Sequence, residues 1–139
     1  MHTGKIPAHS AAVLHNEVLP FYCAQDLDVE NILTDNGTEY CGTQEHVYEL
    51  YLDLNGIQHR RTKPHSPQTN GFVERFNKTL KEEFFDIAFR QKFYEDFETL
   101  QQDLNEWLRF YNEERVHLGY RNMGKTPMQR IMEYKKSLL

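Results

Sequence analysis

The first 57 residues hold one lysine, no arginine and nine acids, so that stretch offers no basic arm to neutralise phosphate. Cysteine is scarce too. Cys23 and Cys41 are the only two in 139 residues, and without CxxC spacing they read as buried thiols rather than a disulfide or a metal pair. The seven histidines form no HxxxH and no mixed Cys/His cluster, which argues against zinc. Neither a Gly-rich phosphate loop nor a nucleophile elbow is present. No apolar run approaches the length of a membrane span. The opening residues lack the basic and apolar regions of a signal peptide, so a cytoplasmic protein with no membrane partner is expected.

What is present fits a globular chain. Hydrophobic residues make up 39% and aromatics 13%, with a mean hydropathy of −0.76, and the length suits one domain. The formal charge of −5 is unevenly spread. Residues 58–81 carry six bases against Glu74 alone, residues 82–114 ten acids against three bases, and residues 115–139 six bases against Glu133. Phosphate affinity follows the local cationic surface. The candidate nucleic-acid face is therefore 58–81, with the tail as a second basic stretch.

Ser10 reads as an N-cap for a helix carrying Val13, Leu14, Val18 and Leu19, which Pro20 should kink. Residues 29–34 read as a short strand, with adjacent Ile32 and Leu33 suggesting burial on both faces. A helix over 44–55 should bury Val47, Leu50 and Leu54 and close at Gly56. A second strand over 57–61 would then run parallel to the first. After a proline-containing loop, Val73, Phe76, Leu80 and Phe84 recur at helical spacing. Phe97, Leu100, Leu104, Trp107, Leu108 and Tyr111 do so again, and both stripes read as core. Thr126 and Pro127 should start a last helix as cap and first residue. His9 and His15 read as helix-surface residues, His46 and His59 as partly buried ones.

Two carboxylates stand out. Asp35 follows the first strand directly, at the end where α/β sheets build sites. Glu74 is expected on the exposed side of its helix, with Asn70, Lys78 and Lys81 on the same face. Taken alone, Asp35-Asn36-Gly37 is a turn and Glu74 a solvated partner of Lys78. The joint pattern is far more specific. It runs from Thr34-Asp35-Asn36-Gly37-x-Glu39-Tyr40 through Gly56-Ile57-x-His59 to Lys63-Pro64-x-Ser66-Pro67-Gln68-x-Asn70-Gly71-x-x-Glu74-Arg75. It closes with Trp107-Leu108-x-x-Tyr111-Asn112-x-x-Arg115-x-His117 and Gly124-Lys125-Thr126-Pro127.

This pattern resembles the C-terminal part of the integrase core of bacterial insertion-sequence transposases and retroviral integrases. The resemblance implies an α/β, truncated RNase H-like fold with two short parallel strands and a predominantly helical remainder. It would form one partial domain over 1–139, with 95–139 as a helical extension. It also implies metal-dependent phosphodiester cleavage and strand transfer during DNA integration and transposition. Three acids of that family hold two divalent cations, Mg²⁺ or Mn²⁺. Asp35 would be the second acid and metal ligand and Glu74 the third, and the two should approach each other at one end of the sheet. Lys63, His65, Asn70, Lys78 and Lys81 would contact DNA. Only 34 residues precede Asp35, too few for the strands that carry the first acid, so the chain is expected to be a fragment inactive alone and weak in metal binding. The alternative is a non-catalytic module that binds DNA or associates with a full-length transposase. An exposed strand edge further suggests a homo-oligomer, with burial around residues 10–35.

Overall fold

The computed structural model describes residues 7–35, 47–62, 71–119 and 121–139. The chain divides into two compact units, Met1–Arg75 and Phe76–Leu139. No helix among the described residues is long and apolar enough to cross a membrane.

The first unit opens with α1 (Pro7–Val13), a π turn (Leu14–Val18) and α2 (Leu19–Ala24). Ser10 lies inside α1 rather than at its N-cap. Nor does Pro20 break the helix. In an α-helix its ring would collide with the carbonyl four residues back; here Leu19 N–H donates to the Leu14 carbonyl, five back, and the wider turn delivers Pro20 to the opening of α2. α2 stops where Asp26 turns left-handed at φ 56°. Leu27 N–H then reaches the Tyr22 carbonyl and Asp26 N–H that of Cys23, both at 3.0 Å, which satisfies the helix end. Cys23 is exposed, contrary to the buried thiol expected, since its position on α2 faces solvent; Cys41 and His46 lie outside the described residues.

β1 (Asn31–Thr34) and β2 (Gln58–Arg61) pair in parallel, as expected, with Ile32 opposite His59 and Thr34 opposite Arg61. Between them α3 (Val47–Leu54) ends in a Schellman turn: Ile57 N–H donates to the Leu52 carbonyl at 2.9 Å and Gly56 N–H to Asp53 at 3.2 Å. Gly56 sits there at φ 67°, open to a residue without a Cβ. Ile57 and Leu52 meet beneath that turn in a cluster with Ala11, Leu14 and Tyr48, while Val18, Val29 and Ile32 pack around it.

The expected apolar face of α3 is the wrong one. Val47, Leu50 and Leu54 stay exposed, and Tyr48 and Leu52 are buried instead. Tyrosine can enter a core when its hydroxyl has a partner, and the half-buried neighbour Tyr51 bonds His15 Nδ1 at 2.7 Å. β1 is covered on one face only: Ile32 and Thr34 point inward, whereas Leu33 is 48% exposed.

The unit boundary falls within α4 (Gly71–Leu80), and in the second unit a π turn (Lys81–Phe85) joins it to α5 (Asp86–Gln91), with α6 (Phe97–Glu113) and α7 (Pro127–Ser137) following. Phe84 and Leu104 are buried, but Val73 and Phe97, placed in the core by periodicity, are exposed because each sits at a helix's first turn, outside the packed length. Aromatic rings fill the interior. Trp107 lies 6.1 Å from Phe84, 6.4 Å from Phe76 and 5.3 Å from Tyr111. Asp96 caps α6 by accepting from Thr99 N–H at 2.7 Å. Thr126 and Gln129 form a reciprocal capping box on α7 with Pro127 behind the cap, as the sequence suggests.

Candidate functional site

Asp35 leaves the carboxyl end of β1 with its side chain exposed. The residue before it is anchored. Thr34 is buried, and its hydroxyl donates to the Asp35 carbonyl at 2.9 Å. The same oxygen lies 2.7 Å from His59 Nε2 on β2. His59 is wedged edge-on against Tyr48 at 5.7 Å, and its Nδ1 stands 3.7 Å from Glu49 Oε1 of α3. Glu49 in turn pairs with Arg61 of β2. Glu49, Asp53, His59 and Arg61 line an open cleft on this face.

Glu74 occupies the first turn of α4, exposed. A carboxylate there is favoured by the helix dipole, so its position has a local physical cause. Asp35 and Glu74 belong to the same compact unit. The pairing of Glu74 with Lys78 suggested by their spacing is absent; Lys78 faces Glu82 at 3.9 Å instead. Lys81, at the head of the π turn, pairs with Asp86 at 2.9 Å. Both lysines are exposed cations, each with a nearby carboxylate that a phosphate would displace. Lys63, His65 and Asn70 lie outside the described residues.

The carboxylates supply the hard oxygen donors that Mg²⁺ and Mn²⁺ favour. No group of three or more His, Cys, Asp or Glu among the described residues could hold a metal ion. The donor set thus suits such an ion in kind and is short in number.

Sequence reasoning missed the Thr34–His59 link and the Glu49–Arg61 pair behind it. The signal was partly accessible: in this register His59 lies opposite Ile32, which makes Thr34, two residues on along the same face, its diagonal neighbour, and both positions lie inside motifs already singled out.

The closing motif forms a separate cluster on the second unit. Arg115 reaches Glu83 of the π turn through two nitrogens, at 2.9 and 2.7 Å, and lies over the Tyr111 ring at 5.7 Å. Hydrogen bonding to Glu83 raises the Arg115 pKa above its already high value. His117 packs edge-on against Tyr111 at 4.5 Å and bridges to Lys125 through the backbone. Trp107, Tyr111, Arg115 and His117 are therefore structural side chains that grip the helix following Glu74.

Comparison with known proteins completes the picture. Residues 55–127 match the model of the integrase core domain. The chain is 33% identical over 100 residues to transposase InsD of insertion element IS2A/D/F/H/I/K from Escherichia coli, covering 70% of this chain and 31% of that one. It is 39% identical over 54 residues to the retrovirus-related Pol polyprotein from transposon TNT 1-94 of Nicotiana tabacum, covering 39% of this chain and 4% of the other. The chain spans less than half the length of such relatives. Among solved structures, the catalytic core domain of BIV integrase superimposes with a TM-score of 0.65 at 20% identity, over 99% of this chain and 78% of that one. The fold is that of an RNase H-like integrase core, mostly helical, with two parallel strands among the described residues. With more than half its length matched by the family model, the chain belongs to the integrase core domain family.

Proposed function

We propose that the chain contributes two acids to the catalytic core of a transposase that cleaves and joins DNA phosphodiesters. Asp35 acts as the second acid and Glu74 as the third, and the two approach each other at one end of the sheet. What carries this proposal is the position of Asp35 at the carboxyl end of a parallel strand, in a chain of this family. Asp35 and Glu74 would hold divalent metal, whose chemistry would be activation of the attacking water or hydroxyl and stabilisation of the leaving oxygen. The residues of this chain hold and aim those donors and bring the DNA backbone alongside. Lys63, His65, Asn70, Lys78 and Lys81 serve that second task, binding transposon ends and target DNA in the cytoplasm.

Two acids hold a metal pair poorly, so the isolated chain should bind Mn²⁺ weakly and show no strand transfer. The 139 residues would act as one partial integrase-core domain, with 95–139 as its helical extension. A homo-oligomer is favoured by β1, which pairs on one side only among the described strands and leaves Leu33 exposed. A full-length transposase is the other candidate partner. The absence of a three-acid group among the described residues also favours a second reading, a non-catalytic module that binds DNA or joins an intact transposase.

Strand-transfer and Mn²⁺-titration assays on the chain with Asp35→Ala and Glu74→Gln test the first proposal. Weak Mn²⁺ binding lost in both variants is expected. Binding indifferent to both would leave the non-catalytic module, whereas robust cleavage abolished by Asp35→Ala would overturn the inactivity. DNA affinity should fall steeply with salt and weaken in Lys63→Ala and Lys78→Ala.

A further inference from the structure

We propose that Thr34 and His59 are positioning residues for Asp35, resting on the reading of Asp35 as a metal-binding acid. The direction of the relay follows from its donors. Thr34 donates its hydroxyl proton to the Asp35 carbonyl, and with the ring in its Nε2–H tautomer the same oxygen accepts from His59. The chain therefore runs from His59 Nε2–H to the Thr34 hydroxyl to the Asp35 carbonyl.

Its setting keeps it intact. Thr34 is 6% exposed and the His59 side chain 12%, so water competes poorly for either bond. Behind the ring, Tyr48 packs edge-on and the Glu49–Arg61 pair closes the Nδ1 side. On β1, backbone pairing holds the residue before the acid, with Thr62 N–H donating to the Thr34 carbonyl at 2.9 Å. Beyond that bond the relay ties the Asp35 peptide to β2 across the sheet. Restricting that peptide restricts the backbone from which the carboxylate projects. Groups that orient a metal-binding carboxylate from behind act in this way, and losing one weakens metal affinity by about ten- to a hundredfold.

The test uses the full chain, labelled for NMR, with two pairs of variants. Thr34→Val and His59→Phe remove the hydrogen bonds at nearly constant shape, while Thr34→Ser and His59→Gln keep a donor in place. Each pair stands alone if the other misfolds, as judged by circular dichroism. The Asp35 carbonyl ¹³C resonance reports the relay, and line broadening by added Mn²⁺ reports the metal. The relay predicts that Thr34→Val and His59→Phe shift the carbonyl resonance and weaken Mn²⁺ binding about tenfold, and that Thr34→Ser and His59→Gln restore both. If Asp35→Asn abolishes Mn²⁺ broadening while Thr34→Val and His59→Phe leave affinity and resonance unchanged, the positioning role is overturned and the metal reading of Asp35 stands. If broadening ignores Asp35→Asn, the metal reading fails. The carbonyl resonance alone then decides: a shift reversed by the conservative variants sustains the relay, and no shift removes it.

Discussion

The two units solve the problem of a small interior differently. In Met1–Arg75 the buried residues are mainly aliphatic, and Leu52 has no exposed surface at all. In Phe76–Leu139 the interior is built from rings around Trp107, fenced by ion pairs such as Arg115–Glu83. In the first unit the Thr34 and His59 side chains hold one backbone position, the peptide after Asp35. Polar side chains of the second cap helix ends and clamp the helix that continues from Glu74.

The largest test of this contrast is truncation at each centre. Phe84→Ala should cost about 3–5 kcal/mol and Leu52→Ala about 2–5 kcal/mol in urea unfolding followed by circular dichroism. The sharper expectation concerns fluorescence. Phe84→Ala should shift Trp107 emission to the red in the native state, because Phe84 covers that ring, while native Leu52→Ala should not. Equal shifts in both variants would erase the contrast.

A smaller effect is expected at α7. Thr126→Ala removes one arm of the capping box and should lower stability by about 1 kcal/mol, with Thr126→Ser recovering most of it. Matching losses in the two variants would mean that packing of the buried methyl, and not the cap, matters there.

The smallest effects, spread over several groups, are those of pH. Asp96, Asp103 and Glu133 all lie in the second unit, and all have lowered pKa values. The causes are the Thr99 N–H on Asp96, the Tyr94 hydroxyl and then Lys92 on Asp103, and Lys125 with Arg130 on Glu133. A lowered folded-state value means that the contribution is present above the ordinary carboxylate range, about pH 4, and is lost as pH falls through the depressed values. Tyr94 is raised by its bond to Asp103. Its contribution holds below about pH 10 and fades as pH rises beyond. Thermal melts of Asp103→Asn should therefore show a weaker acid limb than the parent chain.

Much of this architecture was legible in the sequence for identifiable reasons. Parallel pairing followed from strand, helix and strand in short order, the α3 stop from Gly56, and the α7 start from Thr126-Pro127. Family motifs are what single out Asp35 and Glu74 as candidates, since neither carboxylate is distinctive by itself. Failures have physical causes too. Counting aliphatics misplaced the buried face of α3, because Tyr48 and Tyr51 carry it. Proline rules gave a kink at Pro20 but not the π turn ahead of it, which leaves no mark in the residue alphabet. The Thr34–His59 bond required the register between strands, which residue types alone do not supply.

The π turn at Lys81–Phe85 bears on how this chain should be aligned. Asp86 N–H donates to the Lys81 carbonyl, five residues back, so the helix holds one residue more than an α-helix of the same rise. Everything beyond it is rotated by about 100° relative to an uninterrupted helix. A relative with a straight helix here would align with a one-residue gap at this turn, and an ungapped alignment would assign every downstream helical position to the wrong face.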